Sequence, residues 1–165
     1  MTGVRMTEGR KTMDLILWRH AEAFEPREVQ DDLDRALTAK GERQAQRMAD
    51  WLNRQLPHGA RVLVSPARRA QQTASALDRK FKTLPVLAPD GTVDALLQVA
   101  RWPENKDAVL IVGHQPTLGL AAAYLLSGHA LPWTVRKAGC WWLRAREREG
   151  ELQVVLHAVM APDLL

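Results

Sequence analysis

Residues 14–20 read DLILWRH, and this apolar run, which stops at Arg19 and His20, decides the fold. The stretches RVLV at 61–64 and AVLIV at 108–112 have the same character. All three are short and apolar without alternation, and polar or turn residues bound them. This pattern is typical of strands buried on both faces, as in a parallel sheet.

The segments between these strands have the period of amphipathic helices. In Thr38–Leu56 the apolar side chains fall on one helical face, and Thr38 is the expected N-cap. Ser65-Pro66 is predicted to open the next helix, with Ser65 as cap and Pro66 at the first helical position. Pro116 is likewise predicted to open the helix before Thr117–Leu126. Asp90 or Thr92 is expected to cap a short helix through Ala100, which continues the alternation of strand and helix.

The C-terminal part of the chain changes to a period of two. Cys140–Arg146 and Leu152–Val159, joined around Glu149-Gly150, alternate in polarity and predict an antiparallel hairpin. Strand–helix alternation followed by a hairpin predicts an α/β fold of three layers, α/β/α. Its sheet is expected to be mostly parallel, with an antiparallel edge at the C-terminus.

Length and composition already exclude several classes of protein. The chain has 165 residues, 46% of them apolar and 25% charged, which excludes a disordered or low-complexity protein. Its net charge of +4 is too small to require a nucleic-acid partner. Cys140 is the single cysteine, so an intramolecular disulfide is excluded. Without a signal-peptide core or an apolar run of membrane-spanning length, we expect a soluble, cytoplasmic protein.

Residues 1–12 are polar and without periodicity, and we expect a flexible extension there, with one folded domain over 13–165.

Each buried strand runs into a polar signature at its carboxyl end. The first runs into Arg19-His20, the second into Ser65-Pro66 and then Arg68-Arg69, and the third into Gly113-His114. The carboxyl ends of parallel strands meet at one edge of an open α/β sheet, where ligands bind. Two imidazoles, arginines and helix N-termini gathered there favour an anion and suit phosphoryl transfer through a histidine. Flanking arginines would repel a metal cation, so neither a metal ion nor a cofactor is expected.

Four segments, in order, resemble the histidine phosphatase superfamily, and most closely its short SixA-like phosphohistidine phosphatase branch. They are LWRHAEA at 17–23, LTAKGERQA at 37–45, SPARRAQQTA at 65–74 and VGHQPTLG at 112–119. The resemblance implies a phosphoglycerate mutase-like fold and a metal-independent phosphatase that forms a phosphohistidine intermediate. It also implies phosphohistidine on a signalling or phosphotransfer protein as the substrate.

Carried over by position, the resemblance makes His20 the nucleophile and Arg19 a phosphate-binding arginine. Arg69 is then the second phosphate-binding arginine, with Arg68 at the surface. His114 is the second histidine, which donates to a phosphoryl oxygen.

This chain departs from the superfamily pattern at one motif position and leaves the proton donor open. Ala21 stands where the superfamily motif has Gly, although the short branch often carries Ala there. If that position needs a positive φ, Ala21 would be strained. Asp90 is the candidate proton donor, with Glu22 and Asp94 behind it, and a phosphohistidine substrate needs little help from an acid.

Two other functions remain open from the sequence. One is a phosphatase for small phosphate monoesters such as sugar phosphates, and the other is a phosphate-binding or interaction module without turnover. The expected partner is a phosphorylated protein or a small phosphorylated substrate, not nucleic acid or a membrane. A rim role for Arg136 and Lys137 in meeting a phosphorylated protein is a hypothesis.

Overall fold

The computed structural model describes residues 12–165, and the predicted extension at 1–12 lies outside it except for Thr12. The six strands are β1 (Thr12–Arg19), β2 (Arg61–Val64), β3 (Lys82–Thr83), β4 (Val109–Gly113), β5 (Cys140–Arg148) and β6 (Glu151–Met160). The four α-helices are α1 (Ala39–Gln55), α2 (Arg68–Ser75), α3 (Val93–Val99) and α4 (Thr117–Ser127). Short 3₁₀ turns cover Asp32–Asp34, Pro85–Leu87 and Pro162–Leu164.

The six strands form one sheet in the order β3-β2-β4-β1-β5-β6. Strands β3, β2, β4 and β1 are parallel neighbours, whereas β5 and β6 add antiparallel strands at one edge. The order brings the carboxyl ends of β1, β2 and β4 side by side in the middle of the sheet. The predicted mixed α/β sheet with an antiparallel C-terminal hairpin is confirmed.

The three layers follow from the alternation of side chains along the strands. Ile16 and Trp18 of β1 point to one face and pack with α1 and α2, while Leu15 and Leu17 point to the other and pack with α3 and α4. All four side chains are fully buried. The central strands are therefore apolar on both faces, as expected of the middle of a doubly covered sheet.

The helix ends differ in part from the sequence predictions. Thr38 caps α1, since its Oγ1 accepts from the Gly41 amide at 3.0 Å, and Thr92 rather than Asp90 caps α3. The prediction that Pro66 is the first residue of a helix is wrong, because α2 begins at Arg68. Pro116 likewise precedes α4 at the cap position instead of opening it.

The Ser65 side chain explains the late start of α2. Its Oγ accepts a hydrogen bond from the Ala67 amide at 3.1 Å, which holds residues 65–67 in a turn. The serine closes this short turn and leaves the helix N-terminus without a side-chain cap.

No helix in the described part of the chain is both long enough and apolar enough to cross a membrane.

Candidate active site

The sheet brings the predicted site residues to one place at its carboxyl edge. Arg19 ends β1 and His20 follows it, His114 follows β4, and Arg69 lies on the first turn of α2. The rings of His20 and His114 are 5.1 Å apart between centroids. All four side chains line one pocket of about 280 Å³. Three segments far apart in the sequence therefore meet in one cationic cavity.

The backbone around His20 fixes the orientation of its imidazole ring. The His20 amide donates to Gly113 O at 3.1 Å, and the Ala138 amide donates to His20 O at 3.1 Å. The ring Nδ1 lies 2.7 Å from the carbonyl oxygen of Ala21. Because a carbonyl oxygen only accepts, Nδ1 carries the hydrogen in the neutral ring and Nε2 keeps its lone pair. His20 is thus held as the tautomer that a nucleophile at Nε2 requires.

The surroundings of His20 also keep its imidazole neutral. Burial lowers the pKa of His20 to about 4, although the hydrogen bond to Ala21 raises this pKa. The positive charges of Arg69 and Arg19 lower this pKa further. At neutral pH the ring is therefore unprotonated, as nucleophilic attack on phosphorus demands.

His114 is held by a residue that follows the neighbouring strand. Its Nε2 lies 2.7 Å from Oγ of Ser65, which is fully buried. When that hydroxyl donates to Nε2, the hydrogen of the neutral ring lies on Nδ1, a donor for a phosphoryl oxygen. Burial lowers the pKa of His114 to about 3, and the nearby His20 and Arg69 lower it as well.

The two arginines are anchored by protein oxygens. Arg19 Nη1 donates to Val135 O at 3.1 Å. Arg69 Nη1 donates to the main-chain oxygen of Asp32 at 2.6 Å, and its Nη2 donates to Asp32 Oδ2 at 2.9 Å. Arg69 is buried whereas Arg68 is exposed, which is the distribution expected of a site residue and a surface residue.

Three buried nitrogen atoms of the site lack a partner from the described protein residues. They are Nε of Arg19, Nε of Arg69 and Nδ1 of His114. A buried polar group without a partner costs free energy of about 1–3 kcal/mol. Three such nitrogen donors beside one cavity add to its positive character, which suits an anionic ligand such as a phosphoryl group.

The structure does not place Asp90 in this pocket. Asp90 is exposed at a turn in which the Gly91 amide donates to Ala88 O, and the lining residue from this segment is Pro89. The prediction of Asp90 as proton donor therefore lacks support from the geometry. Of its two alternatives, Asp94 is exposed on α3, and the Glu22 carboxylate accepts from Thr38 Oγ1 at 2.7 Å.

Three residues that shape the site were not predicted as site residues from the sequence. Asp32 holds Arg69, Ser65 holds His114, and Arg35 lines the pocket and pairs with Asp32 at 2.8 Å. Ser65 was expected only to cap a helix, although its place directly after a buried strand already put it at the carboxyl edge of the sheet. Asp32 and Arg35 give a weaker sequence signal, since they are only an oppositely charged pair three residues apart shortly before the α1 cap.

Ala21 sits in the site without backbone strain. It is fully buried, and it is not among the residues of the described chain that have a positive φ. Its amide donates to Thr73 Oγ1 at 3.1 Å. This chain therefore does not need glycine at the third motif position for conformational reasons.

These features define a class of protein before any comparison: an α/β protein with a neutral histidine among arginines, arranged for phosphoryl transfer. The sequence profile of the "Histidine phosphatase superfamily (branch 1)" matches residues 15–91. The chain is 35% identical to the phosphohistidine phosphatase SixA of Escherichia coli over 129 residues, covering 73% of this chain and 78% of that protein. The chain belongs to the histidine phosphatase superfamily, in its SixA-like branch.

Further comparisons agree with this assignment. An uncharacterised protein of Picosynechococcus sp. is 37% identical over 143 residues, covering 81% of this chain and 86% of that protein. The structure of the protein histidine phosphatase SixA in complex with tungstate superposes with a TM-score of 0.75 at 28% identity, covering 92% of this chain and 99% of that one. A phosphoserine phosphatase of Entamoeba histolytica, at 18% identity, shares the fold with a TM-score of 0.67.

Proposed function

We propose that this phosphatase removes the phosphoryl group from phosphohistidine on a protein, through a phosphorylated His20. One observation carries the proposal: a neutral His20 ring, held by Ala21 O at 2.7 Å, lies among Arg19, Arg69 and His114. The similarity to SixA of Escherichia coli, a phosphohistidine phosphatase, supports the choice of substrate.

The first step transfers the phosphoryl group to the enzyme. Nε2 of His20 attacks phosphorus, a P–N bond forms there, and the P–N bond to the substrate imidazole breaks with its electron pair staying on that nitrogen. Arg19 and Arg69 bind the equatorial oxygens, over which the negative charge is spread in the transition state, and His114 donates from Nδ1. Since these groups are already anchored, they need little reorganisation as the charge develops.

The second step returns the enzyme to its starting state. A water molecule attacks the phosphorus of phospho-His20, the P–N bond to Nε2 breaks, and inorganic phosphate leaves. The hydrogen bond from Nδ1 to Ala21 O keeps the ring in place throughout, so the same atom serves as nucleophile and then as leaving group.

The charges lining the pocket favour a nitrogen leaving group. Its charged side chains are those of Arg19, Glu25, Arg35, Arg69 and Lys137. The one carboxylate among them, that of Glu25, is exposed. An alkoxide leaving group needs an acid beside it, whereas an imidazole protonated at its other nitrogen departs as a neutral ring. This supports phosphohistidine over a sugar phosphate.

The cellular setting is part of the same proposal. We place the substrate on a cytoplasmic signalling or phosphotransfer protein and the catalytic domain at residues 13–165, although β1 already includes Thr12. Deletion of residues 2–11 is expected to leave kcat/KM unchanged, and a loss of more than tenfold would show that the domain needs them.

Hydrolysis of a phosphohistidine peptide, followed by ³¹P NMR in the presence of EDTA, tests the proposed function. Wild-type protein should release phosphate, and His20→Ala should not, whereas the exposed-site control His129→Ala should match wild type. Faster turnover of a panel of sugar phosphates than of the peptide would favour the small-monoester phosphatase. Binding of phosphate with turnover of neither substrate would favour the non-catalytic module.

A further inference from the structure

A second concave surface adjoins the catalytic pocket. This basic groove has a volume of about 820 Å³ and shares Arg19 and Lys137 with the pocket. Six cationic side chains line it: Arg19, Lys40, Arg43, Arg47, Arg136 and Lys137. An anionic segment bound in the groove would therefore lie next to the phosphate-binding residues of the pocket.

The cations come from both walls of the groove. Lys40, Arg43 and Arg47 follow the spacing i, i+3, i+7 and so share one face of α1. Arg136 and Lys137 face them from the loop before β5. Like charges on opposite walls repel, and Lys40 lies in the first helical turn, where the helix dipole disfavours a cation. An anionic ligand bound in the groove would offset this repulsion.

The carboxylates of the groove leave most of these cations available. Asp163 pairs with Arg136 at 3.1 Å, and Glu22 accepts from Thr38 Oγ1 at 2.7 Å. Within residues 12–165, Lys40, Arg43, Arg47 and Lys137 form no ion pair. All four side chains are exposed, so they can reach a partner without rearrangement of the core.

We propose that the basic groove docks an acidic segment of the protein that carries the phosphohistidine. The inference rests on the proposed function and adds to it the feature by which the substrate protein is selected. Electrostatic complementarity of this kind steers encounter and lowers KM more than it changes the chemical step.

Two synthetic phosphohistidine peptides test the groove, one with four Glu residues flanking the histidine and one with four Gln residues. At low salt, wild-type protein should hydrolyse the acidic peptide with a kcat/KM about tenfold higher, and 0.5 M NaCl should remove the preference. The triple variant Lys40→Gln, Arg43→Gln, Arg47→Gln should lose the preference at low salt. A matched triple variant that neutralises exposed cations away from the groove, Arg54→Gln, Lys82→Gln, Lys106→Gln, should keep it.

The outcomes separate the groove from the proposed function. Equal rates on the two peptides with wild-type protein would keep the phosphatase and overturn the groove. If neither peptide is hydrolysed, the proposed function fails. Fluorescence anisotropy with the labelled acidic peptide then tests the groove alone. Tight binding that the groove variant weakens supports docking in the groove, and absent binding overturns it. Tighter binding of a single-stranded oligonucleotide than of the acidic peptide would overturn the choice of partner.

Discussion

The guanidinium of Arg69 is held by a single residue, Asp32, through two hydrogen bonds of 2.6 Å and 2.9 Å. One goes to the main-chain oxygen of Asp32 and the other to its carboxylate. Asp32 lies in the 3₁₀ turn Asp32–Asp34, in the loop between β1 and α1. This turn therefore positions a phosphate-binding arginine that belongs to a distant helix.

Replacing Asp32 should weaken catalysis without removing it. In Asp32→Ala the main-chain contact remains but the carboxylate contact is lost, so Arg69 is less well oriented toward the phosphoryl group. We expect kcat/KM to fall by about tenfold, since positioning errors of this kind commonly cost one to two orders of magnitude. Steady-state kinetics with the phosphohistidine peptide measures the change.

The control Asp34→Ala removes a neighbouring exposed carboxylate that makes no ion pair within residues 12–165. If Asp34→Ala is as impaired as Asp32→Ala, the Asp32 carboxylate has no specific role in positioning Arg69.

Removal of the His20 imidazole should abolish turnover. Replacing a nucleophile that works together with its neighbours costs several orders of magnitude, so His20→Ala is expected to lose at least about 1,000-fold in kcat. Rapid quench followed by alkaline gel analysis should also show a phosphorylated wild-type enzyme and an unphosphorylated variant. An intact label in His20→Ala, or turnover within tenfold of wild type, would place the nucleophile elsewhere.

The two buried histidines should make the folded protein less stable in acid. The pKa of His20, about 4, and that of His114, about 3, lie below the 6.5 of an exposed imidazole. Below pH 6.5 the unfolded chain therefore binds more protons at these residues than the folded one, and stability falls as the pH is lowered toward these values. Their contribution is fully present above pH 6.5.

Urea denaturation at several pH values between 7 and 4.5 measures this dependence. Wild-type stability should decrease with falling pH more steeply than that of the double variant His20→Gln, His114→Gln. His129→Gln, which changes an exposed histidine, should have the wild-type slope. Parallel slopes for wild type and the double variant would show that these rings are not buried in their neutral form.

The sequence predicted the parts of the site that lie on regular elements. His20 and His114 follow apolar strands, whose signal is strong because both faces of each strand are buried. The burial of Arg69 rather than Arg68 was also expected. The Asp32 contact was not predicted, because the two residues are 37 positions apart and the 3₁₀ turn lies in a polar loop without periodicity. The position of Asp90 outside the pocket was also not predictable, because only the tertiary turn decides that Pro89, and not Asp90, lines the pocket.

The glycine in LTAKGERQA is explained by close packing beside the nucleophile. A Cβ atom at Gly41 would overlap the carbonyl oxygen of Glu22, two residues after His20. The same oxygen accepts from the Thr38 amide at 3.0 Å, which ties the start of α1 to the nucleophile segment. Glycine at this position thus allows the helix to lie directly against the backbone that carries His20.

Gly41→Ala should therefore damage both stability and catalysis. Relieving the overlap requires the α1 terminus and the segment around Glu22 to separate, and overpacking of this kind costs about 1–3 kcal/mol. We expect a lower free energy of unfolding in urea, together with a reduced kcat on the phosphohistidine peptide because the His20 ring moves with its backbone. The control Gly59→Ala adds a methyl group whose nearest neighbour is Asp107 Oδ1 at 3.9 Å, and it should behave as wild type. Wild-type stability and kcat in Gly41→Ala would mean that the two segments do not pack as closely as the structure shows.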